Sequence, residues 1–234
     1  MKKIENGLFI VIEGPDGAGK TTAANNLVKA LKEKDYNAIY VREPGGIKAA
    51  EDIRNIVLHN ELSDREALLL FTASMSLNMR KTILPELKNG NIVICDRFIR
   101  STWVYQGFAN FENPYTDLDI FNNIFRQIVN YAIYDKHPNI EFVLNISPEA
   151  AWKRTHIRDK EEDVFESKGY EFFKTINEGY LYNDYFLGYP VRINAELSEE
   201  VIVDKMLKYI IDIIEYIEGT NNDVSTTTES ATNS

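Results

Sequence analysis

Residues 9–21 read FIVIEGPDGAGKT, an apolar, β-branched run that passes through a glycine-rich turn into a lysine and a threonine. The next residues place alanine, leucine and valine at helical spacing as far as Leu31, so the pattern predicts a strand, a loop and a helix in that order. Gly14 to Thr21 match G-x-x-x-x-G-K-T, the phosphate-binding P-loop, in the structural context that this motif requires. A strand-turn-helix corner that needs glycine only for its backbone freedom is the alternative.

Each residue type of the predicted loop suits a phosphate ligand. Gly17 and Gly19 allow backbone N–H groups to converge on an anion, and the N-terminus of the following helix adds partial positive charge. Lys20 is placed to reach the β- and γ-phosphates, and the Thr21 hydroxyl is placed to hold Mg²⁺. The predicted ATP-binding residues are Gly14, Pro15, Asp16, Gly17, Ala18, Gly19, Lys20, Thr21 and Thr22.

Composition limits the class of protein. With 234 residues, 44% of them hydrophobic, the chain fits one α/β domain with a sizeable core. A net charge of −10 argues against a nucleic-acid surface, which needs a basic face. The lone Cys95 lies in an apolar run and is predicted to be inert core. Because no apolar stretch is long enough for a signal peptide or a membrane span, we expect a soluble, cytoplasmic protein with no membrane partner.

Two further apolar strands end in polar residues. Residues 38–41 lead into Arg42-Glu43-Pro44-Gly45-Gly46, and residues 92–95 lead into Asp96-Arg97. Ligands of open α/β sheets bind at the carboxyl ends of the strands, so Arg42 and Glu43 are site candidates, with a solvated loop ion pair as the alternative. Asp96 is a candidate Mg²⁺ ligand and Arg97 a candidate phosphate ligand, whereas a helix-capping role for the aspartate is the alternative.

The rest of the chain predicts helices, two more strands and a polar tail. A capping box at residues 63–66 begins a long helix on which Phe71 and Met75 lie one turn apart, and core packing is the simpler interpretation of that pair. Apolar residues recur at helical spacing in 117–132 and from Val203 to Ile217, and strands are predicted at 141–146 and 191–194. The Ser/Thr/Asn-rich segment 219–234 is predicted to be disordered.

In this order and spacing, the P-loop, the Arg42–Gly46 loop, Asp96-Arg97 and Ser101-Thr102-x-x-Tyr105-Gln106-Gly107 resemble thymidylate kinases over about residues 7–215. The resemblance implies a P-loop nucleoside monophosphate kinase fold in residues 1–218, with a five-stranded parallel sheet flanked by helices and a mobile lid at about 154–168. It also implies a homodimer, and phosphorylation of dTMP to dTDP with ATP as co-substrate and Mg²⁺ as cofactor.

The resemblance also implies residue roles. Thr21 and Asp96 would hold the metal, Asp16 would lie between the metal and the acceptor, Phe71 would stack on the base, and Tyr105 would crowd the 2′ position. The implied catalytic residues are Lys20, Arg97, Arg154, Arg158 and Asp16. The implied acceptor-binding residues are Asp16, Arg42, Pro44, Phe71, Met75, Arg97, Ser101, Thr102, Tyr105, Gln106 and Glu166.

This sequence departs from the family pattern at three places. Gly17 replaces the arginine that some members carry in the P-loop, so the lid residues Arg154 and Arg158 would supply the catalytic cation. The lid reads Asp-Val-Phe-Glu at 163–166 where Asp-Arg-x-Glu is usual, and His156 replaces an arginine found in some members. Met75 stands where an arginine usually bonds the thymine edge, with Arg80 and Arg100 as the nearest alternative donors in sequence.

Two other functions therefore stay open on the sequence alone. The first is a kinase for another or a modified deoxypyrimidine monophosphate, which Met75 motivates. The second is a P-loop protein that binds nucleotide as a switch and catalyses no transfer.

Overall fold

Five parallel strands form one sheet, in the order β2-β3-β1-β4-β5. This computed structural model describes residues 1–110, 114–156, 165, 168–182 and 187–231, and it describes no side chains at 114–118 or 220–231. The sheet confirms the predicted fold class, and each predicted strand lies within a residue or two of its expected place. The strands are β1 Leu8–Glu13, β2 Ala38–Arg42, β3 Ile92–Asp96, β4 Ile140–Asn145 and β5 Val191–Asn194.

Helices cover both faces of this sheet. In the described part of the chain they are α1 Lys20–Glu33, α2 Lys48–His59, α3 Asp64–Asn78, α4 Leu84–Lys88, α5 Ile99–Gln106, α6 Pro114–Ala132, α7 Pro148–His156, α8 Gly169–Leu181 and α9 Glu199–Ala231. A π-helical stretch, Met79–Ile83, joins α3 to α4, and a 3₁₀ turn covers Phe108–Asn110.

The two faces of β1 feed two separate cores. Leu8, Ile10 and Ile12 pack with apolar residues of α1 and α9. Phe9 and Val11 point to the other face and pack with residues of α3, α5, α6 and α8. Because both of its faces are covered, β1 has a continuous apolar run from Leu8 to Ile12 with no alternation, as is typical of central strands in parallel sheets.

The register places the polar strand ends at one edge. Ile12 lies opposite Asp96, and Asp96 lies opposite Arg42 on the other side. Glu13, the last residue of β1, leads directly into the P-loop at this edge. Three loops of separate origin therefore meet where the predicted site lies.

The last helix, α9, extends beyond the predicted domain boundary at residue 218. The sequence predicts disorder from Gly219 onward, whereas α9 continues as helix to Ala231. A helix satisfies its own backbone hydrogen bonds without any tertiary contact, so polar composition alone does not prevent this backbone form. Residues 232–234 lie outside the described part of the chain.

Only the flanks of the predicted lid are described. Helix α7 ends at His156, and the chain is described again at Phe165 and from Lys168 onward. Among the described residues, none of the helices is both long and apolar enough to cross a membrane.

Candidate active site

The P-loop holds its lysine against its own backbone. Lys20 is 6% exposed, and its Nζ donates to the carbonyl of Pro15 at 2.7 Å. Burial and, next, the neighbouring Arg97 cation lower the pKa of Lys20 to about 8. Gly17 has a φ of +81°, and a Cβ there would lie 2.5 Å from the carbonyl oxygen of Ala151. The loop is thus packed against α7, and no arginine fits at this position.

A hydroxyl and a carboxylate form the predicted metal pair. The Thr21 Oγ1 donates to Asp96 Oδ2 at 2.5 Å, and the Tyr40 hydroxyl donates to the same oxygen at 3.2 Å. The other oxygen, Asp96 Oδ1, is buried and has no hydrogen-bond partner. A buried carboxylate oxygen without a donor is suited to a cation, so these residues fit Mg²⁺.

The described residues contain no group of three or more His, Cys, Asp or Glu side chains that could enclose a metal. Mg²⁺ beside nucleotides is usually held by one or two protein oxygens together with phosphate oxygens and water, and Thr21 and Asp96 offer two such oxygens.

Asp16 and Arg97 form an ion pair at the centre of the site. Arg97 Nη2 donates to Asp16 Oδ1 at 2.6 Å, and the Tyr105 hydroxyl donates to Asp16 Oδ2 at 2.9 Å. Burial alone would raise the pKa of Asp16, but the Arg97 and Lys20 cations outweigh it and hold that pKa well below its usual range. Asp16 is therefore an ionised carboxylate at neutral pH, which excludes a general-acid role.

A cavity opens beside this ion pair between α2, α3 and α5. Nine of the eleven predicted acceptor-binding residues line this cavity, which is therefore termed the acceptor cavity. Other lining residues are Glu43, Arg54, Leu58, Phe98 and Phe165. The nine predicted residues are Asp16, Pro44, Phe71, Met75, Arg97, Ser101, Thr102, Tyr105 and Gln106.

Gln106 is the polar group of this cavity with the most bonding capacity left. It is 3% exposed, and neither its Oε1 nor its Nε2 has a hydrogen-bond partner. A buried amide that offers one acceptor and two donors matches the complementary edge of a base. Met75, 1% exposed, lines the same cavity and offers only a thioether.

Several predicted residues lie elsewhere. A second cavity, the P-loop cavity, lies at Lys20, Thr21 and Asp96. Arg42 lines this cavity and pairs with Glu51, with 2.6 Å between Nη2 and Oε1. Arg80 is exposed, and Arg100 pairs with Glu141 at 2.8 Å. Neither arginine therefore supplies the donor to the base that Met75 lacks. Arg158 and Glu166 lie outside the described residues.

Arg154 lies alongside the P-loop. Its Nη1 donates to the carbonyl of Gly17 at 3.3 Å and to that of Ala195 at 3.1 Å. The guanidinium therefore bridges the phosphate loop and the segment that follows β5.

The sequence did not single out Arg54, Phe165 or Glu13 as site residues. Arg54 lines both the acceptor cavity and the P-loop cavity. Phe165 lies against Tyr105, with 5.5 Å between ring centroids, and 6.5 Å from Phe71. For Arg54, the only sequence signal for a site residue was its position on α2, which follows directly from a loop at the carboxyl edge of the sheet.

The two cavities share Asp16, Glu43, Arg54 and Arg97. A P-loop that meets a second cavity at two carboxyl groups and two cations defines a phosphotransferase with adjoining donor and acceptor sites, the class of the nucleoside monophosphate kinases. The sequence model of one family, thymidylate kinase, matches residues 12–206. The chain belongs to the thymidylate kinase family.

Curated relatives agree with this assignment. The chain is 36% identical to a thymidylate kinase of an Exiguobacterium species over 214 residues, which cover 88% of this chain and 95% of the relative. It is 36% identical to a Geobacillus thymidylate kinase over 84% of this chain and 87% of the relative. It is 33% identical to the Clostridium novyi thymidylate kinase over 88% of this chain and 98% of that protein.

Proposed function

We propose that this kinase transfers the γ-phosphoryl group of ATP to the 5′-phosphate of dTMP and releases dTDP and ADP. The observation that carries the proposal is the shared wall of the two cavities, where Asp16 and Arg97 face both sites. An acceptor phosphate against Arg97 would lie next to a γ-phosphate held by Lys20. This adjacency is what in-line phosphoryl transfer requires.

The transfer needs cations more than a general base. An oxygen of the acceptor phosphate forms the new bond to the γ-phosphorus while the bond to the β-phosphate oxygen breaks, and the electron pair leaves with ADP. The acceptor phosphate, with a second pKa of about 6, is already largely ionised at neutral pH. Lys20, Arg97 and the lid arginines Arg154 and Arg158 would neutralise the charge on the peripheral oxygens.

Thr21 and Asp96 are the residues that would hold Mg²⁺. The chemistry that a bound ion would supply there is neutralisation of part of the charge on the ATP phosphates. The Thr21 and Tyr40 hydroxyls fix one oxygen of Asp96, which leaves Oδ1 available to a ligand. The Asp16 carboxylate lies near enough to Lys20, at 4.0 Å, to orient the ammonium group.

Base recognition would fall to stacking and to Gln106. Phe71 and Tyr105 supply aromatic surface, and a pyrimidine edge can pair with the unpartnered amide of Gln106. Stacking alone tolerates any base. A kinase for another or a modified deoxypyrimidine monophosphate is the second candidate, and Met75 is the observation that favours it.

The chain would act as a homodimer on small-molecule substrates, with no nucleic-acid partner. Exposed apolar side chains on neighbouring helices support the dimer, namely Leu69 on α3 and Ile120, Ile124 and Tyr131 on α6.

A coupled assay of ADP release with ATP and each deoxynucleoside monophosphate tests the activity. We expect turnover with dTMP, and loss of that turnover in Lys20→Ala with little change in Tm, since Lys20 faces ligand phosphates and contributes little to the core. Lys29→Ala is the matched control, because Lys29 is an exposed lysine on the same helix. Near-normal turnover of Lys20→Ala would contradict the P-loop assignment.

A further inference from the structure

Glu13 is a buried carboxylate that the phosphoryl-transfer scheme above leaves without a role. It is the last residue of β1 and is 0% exposed. Its Oε1 accepts hydrogen bonds from the backbone N–H groups of Phe98 at 2.8 Å and Ser101 at 3.1 Å. Its Oε2 accepts from the Ser101 hydroxyl at 2.5 Å. Both oxygens of Glu13 are thus engaged by the start of a single helix, α5.

The contact replaces a missing helix cap. Phe98 is the N-cap residue of α5 and offers no side-chain oxygen to the free N–H groups of the first turn. Glu13 supplies that oxygen from the neighbouring strand, and its negative charge lies at the positive end of the helix. The strand that leads into the P-loop therefore fixes the helix that carries the acceptor residues Ser101 and Tyr105.

The carboxylate also fixes the direction of the hydrogen bonds that reach Arg97. Ser101 has a single hydroxyl proton, and it donates that proton to Glu13 Oε2. The Ser101 oxygen is then an acceptor for Arg97 Nη1 at 3.0 Å and for the Tyr180 hydroxyl at 2.7 Å. The Tyr180 oxygen in turn accepts from Arg97 Nη1 at 2.9 Å. Arg97 Nη1 also donates to the carbonyl of Gly14, at 3.3 Å.

Arg97 needs this support. Its backbone has a φ of +68°, in the left-handed region that arginine rarely adopts. A strained residue keeps one geometry only when its surroundings determine it. Ser101 and Tyr180 hold the Nη1 side of its guanidinium, which leaves Nη2 aimed at Asp16 at 2.6 Å.

We propose that Glu13 is a positioning residue for the acceptor phosphate, which acts through Ser101 and Tyr180 on the orientation of Arg97. The proposal rests on the proposed function, in which Arg97 binds the acceptor phosphate. Glu13 itself touches no substrate in this scheme. Glu13 couples the P-loop strand to the acceptor side of the site. Its loss therefore affects the binding of dTMP more than the binding of ATP.

Glu13→Gln tests this role with little change of shape. The amide keeps an acceptor for the two backbone N–H groups but presents N–H donors to Ser101, which reverses the hydrogen-bond direction. We expect KM for dTMP to rise roughly ten- to a hundred-fold, the scale of one hydrogen bond to a charged group, with KM for ATP changed less than three-fold. Equilibrium binding of dTMP to the nucleotide-free enzyme should weaken by a similar factor.

Glu141→Gln is the matched control. Glu141 is also a largely buried carboxylate on the same sheet face, and it bonds Arg100 at 2.9 and 2.8 Å, with no contact to Arg97. We expect this variant to have a lower Tm than the wild type but unchanged KM values for dTMP and ATP. A selective rise in KM for dTMP in Glu141→Gln would show that loss of any buried carboxylate has this effect, and would overturn the proposal.

Ser101→Ala keeps the test decisive if Glu13→Gln does not fold, because it removes the hydroxyl and keeps both backbone bonds to Glu13. It should raise KM for dTMP selectively, and adding Glu13→Gln to it should change KM little further. Unchanged KM for dTMP in folded Ser101→Ala, or fully additive effects of the two changes, would overturn the proposal. Absence of turnover by the wild type with every deoxynucleotide would instead contradict the proposed function.

Discussion

Met75 lines the acceptor cavity at 1% exposure, where it leaves a pyrimidine carbonyl without the cationic donor that the family resemblance implies at this position. Neither Arg80 nor Arg100 replaces that donor, since the first is exposed and the second pairs with Glu141. Gln106 can bond the base edge, but it is neutral. Neutral hydrogen bonds discriminate less than charged ones.

From this we expect weak discrimination among deoxypyrimidines. The wild type should accept dTMP and should also turn over dUMP, 5-hydroxymethyl-dUMP or dCMP, because Phe71 stacking accepts any base. Met75→Arg should raise the kcat/KM ratio for dTMP over dCMP roughly ten- to a hundred-fold. Met75→Leu controls for the change of side chain alone. Strong preference for dTMP in the wild type, unaltered by Met75→Arg, would mean that Gln106 suffices.

Glu43 is a second residue whose burial has a measurable consequence. It is 4% exposed, and Asn78 Nδ2 and Ser74 Oγ donate to its two oxygens at 2.5 and 2.9 Å. Burial raises the pKa of Glu43 to about 8, although these hydrogen bonds lower it. A carboxyl with a raised pKa in the folded state destabilises the fold as pH rises from its unfolded pKa, about 4.3, to about 8.

Glu43→Gln should therefore stabilise the protein in a pH-dependent way. The amide keeps the Asn78 bond and carries no charge, so its Tm should exceed that of the wild type by an amount that grows between pH 5 and about 8, then levels off. Differential scanning calorimetry of both proteins across this range is the measurement. A Tm difference that is constant with pH would show that Glu43 does not titrate within it.

At the scale of the element, the proposed role of the lid is to supply the catalytic cation that the P-loop lacks. Gly17 cannot be an arginine, because its Cβ would meet the Ala151 carbonyl at 2.5 Å. Arg154 at the end of α7 already contacts Gly17. We expect the double variant Arg154→Ala, Arg158→Ala to lose about 10³-fold or more in kcat at saturating substrates. Lys153→Ala, an exposed neighbour, should keep its activity. A double variant with most of its kcat would contradict the lid role.

Predictability from sequence also differs between elements. Strands β1 and β3 could be predicted from the sequence because both are buried throughout and each contains a short apolar run next to turn residues. Helix α5 was not, since it buries Arg100, Ser101, Thr102 and Gln106, so its sequence carries no apolar periodicity. Helix α2 has Ile47 as N-cap, without a capping side chain to mark its start.

The same contrast holds within the site. Lys20, Asp96, Arg97 and Gln106 sit in motifs with fixed spacing, and sequence order was enough to select them. Glu13 instead contacts residues that are distant in sequence, such as Ser101, 88 residues away. No local pattern encodes a hydrogen bond of this kind.

At the scale of the whole molecule, helices α3 and α6 expose large apolar side chains. Ile120, Ile124 and Tyr131 are 76%, 52% and 90% exposed and share one face of α6, and Leu69 on the adjoining α3 is 56% exposed. Large apolar side chains gathered on neighbouring helices are typical of an association surface. Because the chain has a net charge of −10, the charged surfaces of two copies repel each other. Self-association is therefore favoured at an apolar surface.

We therefore expect a dimer in solution, with a mass about twice the 26.9 kDa of the chain by light scattering after size exclusion. The double variant Ile120→Lys, Ile124→Lys should shift this mass to that of a monomer, because burying unpaired charge costs more than the contact returns. Tyr216→Lys is the control, since Tyr216 is 73% exposed on α9, away from this face. A wild type that elutes as a monomer at micromolar concentration would contradict the dimer. A double variant that stays dimeric would show that the association surface lies elsewhere.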